Sequence, residues 1–191
     1  MMNTLDALLS RASASVLQDP APEGEALRQI LETGLRAPDH GHLRPWQFIL
    51  IRGEARARWA EAVVAATLAR DPETPPGLLQ KRRTRINGVP LIVALGVRVK
   101  AGKIPEVEQL LSAGAAAMNM LNAAHALGFG GIWVTGANAY DPALVTALGL
   151  APEDRLAGFL YLGTPAEPRP TPRRPALDEH LSEWTGVPAP A

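Results

Sequence analysis

Four groups of residues have the types and spacing to do chemistry. Asp39-His40-Gly41-His42 places two imidazoles beside a carboxylate, the donor types that ligate a divalent metal. His125 and His180 are the other histidines, and neither lies at a recognisable ligand spacing, so a polar loop closing a helix explains the cluster equally well. Ser13 or Ser15 with His40 and Asp39 would make a Ser-His-Asp set. No G-x-S-x-G elbow is present, however, and an Asp adjacent to a His cannot easily orient its own neighbour's ring. Gly128-Phe129-Gly130-Gly131 has the composition of a nucleotide loop. A dinucleotide fingerprint follows a strand and opens a helix, whereas these glycines follow a helix and precede a strand, where a helix cap and a strand entry suffice. The fourth group is arginine set beside hydroxyls and turns: Arg11-Ala12-Ser13-Ala14-Ser15, Arg36, and Arg173-Arg174. Guanidinium suits bidentate phosphate recognition, and nearby hydroxyls or loop amides can complete such a pocket. Arginine richness can equally be compositional, since only Lys81, Lys100 and Lys103 are lysines.

Several classes are excluded by composition. The chain has no cysteine, which removes disulfides, thiolate metal sites, iron–sulfur clusters and cysteine nucleophiles. Its 19 basic and 19 acidic residues balance, so no global basic field is available to grip nucleic acid. The opening MMNTLDALLSRAS has neither a basic n-region nor a long apolar stretch, and no apolar run approaches the roughly 18 residues of a membrane span. A cytoplasmic protein without membrane partners is expected.

The elements that must position these residues follow from periodicity. A helix is predicted over Thr4–Ser10, capped by Asn3 or Thr4, with Leu5, Leu8 and Leu9 on one face. An irregular loop follows, then a helix from Glu23 to Arg36 with a stripe of Leu27, Ile30, Leu31 and Leu35. WQFILIR (Trp46–Arg52) reads as a buried strand, Glu54–Arg70 as a helix, and LLQKRRTRI as a shorter basic helix. VPLIVALGV (Val89–Val97) is a strand by its β-branched density and length. A long helix over Val107–Leu127 has a middle, Ser112–Ala117, of almost only small residues. That run suits a central helix of one subunit or close packing against a symmetry mate. GGIWVTG (Gly130–Gly136) and AGFLYLG (Ala157–Gly163) are strands, with a short Asp141-capped helix between them. The prediction is an α+β fold, a mixed four- to five-stranded sheet flanked by helices. Residues 1–165 form one domain and 166–191 an extended proline-rich tail.

Taken in order, Arg11-x-Ser13 after a short helix, RAPDHGHLRPWQF (Arg36–Phe48), SAGAAAMNM, GFGGIWVTG and GFLYLGTP resemble the nitroreductase family, specifically its minimal branch of small FMN-dependent NAD(P)H oxidoreductases. The likeness runs from about Leu5 to Pro165. It implies a homodimer with tightly bound FMN at shared interface sites, NADH or NADPH as co-substrate, and a small electron acceptor such as a nitro compound or quinone. By position, Arg11, Ala12 and Ser13 would hold the phosphate and ribityl side, Arg36 and His40 would come from the other subunit, and Trp133, Val134 and Thr135 would lie along the flavin. Arg173 would contact phosphate from the tail, and Ala123, Ala124, His125, Ala126, Leu127 and Gly128 match the segment associated with nicotinamide nucleotide. No side chain need act as catalytic acid or base, because the flavin carries the chemistry. The chain departs from the pattern at Ala12 and Val134, where arginines are usual, and at Leu43-Arg44, where amides are usual. Each lost charge-assisted contact weakens binding by about 1.5–3 kcal/mol. A flavin-binding module without turnover and a purely dimerising interaction domain are the alternatives.

Overall fold

The computed structural model describes residues 2–167, 173–184 and 186. Its elements are α1 (Thr4–Ser10), β1 (Leu17–Gln18), α2 (Gly24–Gly34), β2 (Trp46–Arg52), α3 (Ala55–Arg70), α4 (Pro76–Asn87), β3 (Leu91–Val97), α5 (Glu106–Ala126), β4 (Gly130–Val134), α6 (Pro142–Ala147) and β5 (Arg155–Pro165), in an α+β arrangement. Helix starts follow capping chemistry. The Asn3 side chain accepts from the Asp6 amide at 3.0 Å, and Asp141 accepts from the Ala143 amide at 2.9 Å with Pro142 opening α6.

The five strands run β2-β3-β5, with β4 and β1 both on the far edge of β5. Every described pairing is antiparallel, where a mixed sheet was predicted. The connections supply the reason. Two helices, α3 and α4, join β2 to β3 and reverse the direction. The single helix α5 makes β4 parallel to β3, but β5 inserts between them and is antiparallel to both.

Alternating side chains put a core on each face of the sheet. Ile92, Ala94 and Phe159 pack under α3, α4 and α6 with Trp59, Val63, Ile86 and Leu144. The Trp59 and Phe159 rings lie 5.5 Å apart. Leu91, Val93, Leu95, Leu160 and Leu162 face α2 and α5, meeting Leu27, Ile30, Ala117 and Met120. The strand β3, central and buried at every residue, matches its uninterrupted apolar sequence.

Three other expectations are corrected. The strand β2 is an edge strand, half-buried along most of its length rather than buried. The supposed loop before α2 contains β1, a two-residue bridge to Thr164 and Pro165 too short to leave a periodic signal. Leu35 is exposed at the end of α2. The small-residue run of α5 packs inside the subunit, as a central helix does, and larger apolar residues of the same helix face outward. Ala113, Ala116, Ala117 and Ala124 are buried within the subunit, while Val107, Leu111 and Met118 form an outward stripe, Leu111 being 68% exposed. The stripe of α1 also faces outward, with Leu5 and Leu9 exposed. Among the described residues no helix is long and apolar enough to cross a membrane. Of the predicted tail, residues 168–172, 185 and 187–191 lie outside the described residues; 173–184 are exposed, with one 3₁₀ turn at Leu177–Glu179.

Candidate functional site

The C-terminal end of β4 and the inner face of α4 enclose a cavity of about 400 Å³. Val134 and Thr135 reach it from the strand, Gly136 and Asn138 from the turn that follows, and Arg82 and Arg85 from the helix. A second cavity of about 200 Å³ shares Arg85 and Tyr161 and extends to Ser15 and Thr84. Together they make a cleft from the end of β4 to the segment after α1.

The cleft is cationic because of how α4 is phased. Leu79 and Ile86 are its buried residues, and Arg82 falls between them at helical spacing. Its Nε is buried and has no hydrogen-bond partner. Neighbouring arginines are engaged elsewhere. Arg83 donates to both carboxylate oxygens of Glu61 at 2.7 and 3.0 Å, and Arg56 donates to the carbonyls of Asn87 and Val89. The Arg85 guanidinium lies 5.9 Å from the Tyr161 ring centroid. Burial pushes the Tyr161 phenol above its ordinary pKa, and the Arg85 charge opposes that rise. No carboxylate lines either cavity.

The wall opposite α4 is held from behind. Gly136 adopts φ +67°, a conformation glycine takes readily, and turns the chain away from β4. Arg70, at the end of α3, pairs with the buried Asp141 carboxylate and donates to Asn138 Oδ1 at 3.1 Å. One guanidinium therefore ties the turn to the cap of α6.

The segment after α1 alternates. Ala12 and Ala14 are buried while Ser13 and Ser15 point out, and the Ala14 amide donates to the Gly131 carbonyl at 3.1 Å. Arg11 is partly buried, its Nε has no partner, and Arg174 donates to its backbone carbonyl at 2.8 Å. Burial, then the adjacent Arg174 charge, holds the Arg11 guanidinium below its ordinary pKa. Two cations side by side, one with an unsatisfied buried donor, form an arrangement that an anion completes. Both tail arginines are exposed, and Arg174 is the one that reaches Arg11.

The remaining expected residues lie elsewhere on the subunit. Trp133 faces the α5 side, half-exposed, its indole donating to the Ala157 carbonyl at 3.0 Å. His40 meets Glu108 at 2.6 Å in a loop where Gly41, His42 and Arg44 all have positive φ. Asp39 accepts from the Arg44 amide at 2.7 Å and braces that loop. Arg36 borders a pocket between α1, α2 and α5 together with Ala123, Ala126 and Asn122, whose Oδ1 is buried without a partner. Ala124 is buried, and His125 Nε2 lies 2.8 Å from Ser10 Oγ. Leu127 and Gly128 end the helix, Gly128 at φ +89°. A Cβ on Gly130 would lie 2.8 Å from Leu17 and Pro165, and one on Gly131 the same distance from Leu121 and Leu162, so these glycines serve packing.

Arg82, Arg85, Asn138 and Tyr161 are the residues that sequence reasoning missed. The available signal was the spacing Leu79, Arg82, Ile86, which places one cation of a basic helix on its apolar face. Among the described residues, three buried side-chain polar atoms lack partners, and two are the guanidinium nitrogens of Arg11 and Arg82. Unsatisfied guanidinium donors suit anionic or carbonyl-bearing ligand groups.

Comparison with known proteins agrees in kind. The family described as the nitroreductase family matches residues 8–164. The YdjA protein of Escherichia coli (strain K12), assigned by name to the NAD(P)H nitroreductases, is 42% identical over 165 residues, covering 86% of this chain and 89% of its own. A Haemophilus influenzae protein, assigned likewise, is 33% identical over 168 residues, with coverages of 87% and 90%. A Desulfovibrio desulfuricans structure, assigned as a nitroreductase and solved in complex with FMN, superposes with a TM-score of 0.74 at 29% identity. It covers 100% of this chain and 99% of its own. A nitroreductase-like protein of Bacillus cereus shares the fold, with a TM-score of 0.84 at 22% identity and coverages of 97% and 98%.

Proposed function

The chain belongs to the nitroreductase family, and from that premise we propose that it is an FMN-dependent NAD(P)H oxidoreductase whose cofactor occupies the cationic cleft. The observation that carries this reading is the unsatisfied donor of Arg82 at a cavity lined by no carboxylate, with a second unsatisfied donor at Arg11 in the segment that leads to the cleft. Arg11 and Arg174, with the outward hydroxyl of Ser13, would hold the phosphate. Arg174 would supply a second cation where Ala12 supplies none. Arg82 and Arg85 would face the ring, beside Val134 and Thr135 at the end of β4. When bound, FMN supplies the two-electron chemistry, taking a hydride from NADH or NADPH and passing it to a nitro compound, quinone or similar acceptor in a separate half-reaction.

The chain's own part is binding, orientation and electrostatics. The Arg70–Asp141–Asn138 contacts fix the turn that walls the cleft, so the ring would meet a preformed surface. Outward apolar stripes on α1 and α5 support a homodimer, since contiguous exposed apolar surface marks an interface. Within that dimer, Arg36 and the braced loop carrying His40 would reach the partner's cofactor.

Binding of FMN and of riboflavin, which lacks the phosphate, tests the assignment. Arg11→Ala should weaken FMN roughly 10- to 150-fold, the equivalent of about 1.5–3 kcal/mol, and leave riboflavin affinity nearly unchanged. Equal losses for the two ligands would remove the phosphate from Arg11, and no binding of FMN by the unaltered protein would refute the reading.

A further inference from the structure

We propose that an apolar pocket on the far side of the turn at Ala137–Tyr140 is a second small-molecule site. It takes an uncharged aromatic molecule and, when filled, tightens the hold on the cofactor; the site stands on its own geometry, and the coupling rests on the FMN assignment above. The pocket exists because β4 is short. Val134 ends β4 opposite Phe159, so among the described residues no strand covers that edge of β5 over residues 155–158. Side chains line the gap instead: Leu110 of α5, Ala139 and Tyr140 of the turn, Pro142 and Val145 of α6, and Leu156 of β5. They leave a cavity of about 440 Å³, a size that suits a small ligand.

The charges at this pocket are already served. Arg155 Nε donates to Glu106 Oε1 at 2.8 Å. The buried Asp154 carboxylate accepts from the amides of Val99 at 3.2 Å and Ala151 at 3.0 Å. Among the residues lining the pocket, no cation is left without a carboxylate and no carboxylate without donors. Unlike the cationic cleft, it therefore favours an apolar, uncharged occupant. The Tyr140 ring, 78% exposed, offers a flat face for an aromatic ring to cover. Glu106 and Leu110 sit one position round α5 from Val107 and Leu111, so the pocket borders the outward stripe without using it.

One turn walls both cavities. Ala137 and Asn138 line the cleft, Ala139 and Tyr140 the apolar pocket, and Arg70 ties the turn to the buried Asp141 at the cap of α6. A ring packed on Ala139 and Tyr140 favours the position of the turn in which Ala137 and Asn138 line the cleft. Its preference for that position is passed to the cofactor, and the effect is reciprocal.

Indole, an uncharged bicyclic ring, is the probe, and indoleacetate, the same ring bearing a carboxylate, is its control. Both are titrated by calorimetry into the protein without FMN and with saturating FMN. The unaltered protein should bind one indole per subunit, and indoleacetate more weakly. Leu110→Trp, which fills the pocket, should weaken indole about tenfold or more. Tyr140→Ala, an exposed position where folding is not at stake, should weaken it roughly two- to twelvefold. Glu106→Gln leaves Arg155 unpaired and should raise indoleacetate affinity about two- to fivefold with indole unchanged. FMN should tighten indole about fivefold or more.

No saturable binding at millimolar indole, or binding untouched by both Leu110→Trp and Tyr140→Ala, would overturn the site. Displacement of indole by FMN would put the ring in the cleft and overturn it too. Indoleacetate bound as tightly as indole would overturn the uncharged class, and equal indole affinity with and without FMN would overturn the coupling. Failure of the unaltered protein to bind FMN would bring down the FMN assignment and the coupling with it, while titration of the FMN-free protein still decides the site.

Discussion

Gly158 is the residue on which the geometry of the strand end depends most closely. Opposite the step from Leu95 to Gly96 on β3, β5 carries one extra residue, Ala157, and Gly158 follows it at φ +129°. This β-bulge leaves the Ala157 carbonyl to accept the Trp133 indole N–H at 3.0 Å. A Cβ on Gly158 would lie 2.5 Å from Trp133 Nε1, 2.7 Å from the Val134 carbonyl oxygen and 2.9 Å from Thr135 Cγ2. Gly158→Ala therefore combines an unfavourable backbone conformation, about 1–2 kcal/mol, with overpacking against a backbone carbonyl, about 1–3 kcal/mol. The sum, roughly 2–5 kcal/mol, is a large part of the 5–15 kcal/mol typical of a folded domain. With a urea dependence near 2 kcal/mol per molar, the unfolding midpoint should fall by about 1–2.5 M. FMN affinity measured below that midpoint should fall too, since Trp133, Val134 and Thr135 all move. Gly77→Ala, at the start of α4 with nothing within 4 Å of the added methyl, is the control and should be neutral or stabilising by about 0.4–1 kcal/mol. An unchanged midpoint and unchanged FMN affinity in Gly158→Ala would refute the role given to the bulge.

Three further outcomes are expected. Leu111→Glu, on the outward stripe of α5, should halve the mass seen by light scattering from twice 20.3 kDa, since two symmetry-related leucines would lose roughly 3–6 kcal/mol of burial; a monomeric unaltered protein would contradict the interface. Ala116→Leu, on the buried side of the same helix, should lower stability by about 1–3 kcal/mol without changing the mass, and denaturant unfolding with light scattering checks both. Because burial raises the Tyr161 pKa in the folded state, the unfolded chain loses that proton first as pH rises past about 10. Stability falls there, and Tyr161→Phe should flatten this part of the stability–pH curve.

Much of the fold was legible because local signals and burial agree. The unbroken apolar run of β3 is central, and Asp141-Pro142 starts α6. The strand β2 misled because continuous apolarity reports cover on both faces and says nothing about whether both edges are paired. The helix α5 could not be divided from composition, since alanine at position 116 and glycine at position 114 look alike until the sheet lies under one of them. A Cβ on Gly114 would lie 3.5 Å from the Trp133 ring, whereas Ala116 is wholly buried. For the candidate site, Arg11 was nameable from the hydroxyls and turn beside it, and Thr135 only through the family resemblance. The cation that meets Arg11 from the tail is Arg174, because a segment without periodicity gives no phase by which to choose between neighbours. Tyr161 joins the candidate site only when α4 and the end of β4 come together, a long-range contact that no local pattern encodes.

The most direct test of the central claim is anaerobic mixing of the FMN-loaded protein with one equivalent of NADH or NADPH while the visible flavin absorbance is followed. One nicotinamide should be oxidised per FMN as the band bleaches. The bleached state should persist until a quinone or nitroaromatic is added, and the band should then return with no nicotinamide present. Bound FMN that stays oxidised in the presence of both nucleotides would contradict the assignment as an NAD(P)H oxidoreductase, whatever the affinity for the flavin.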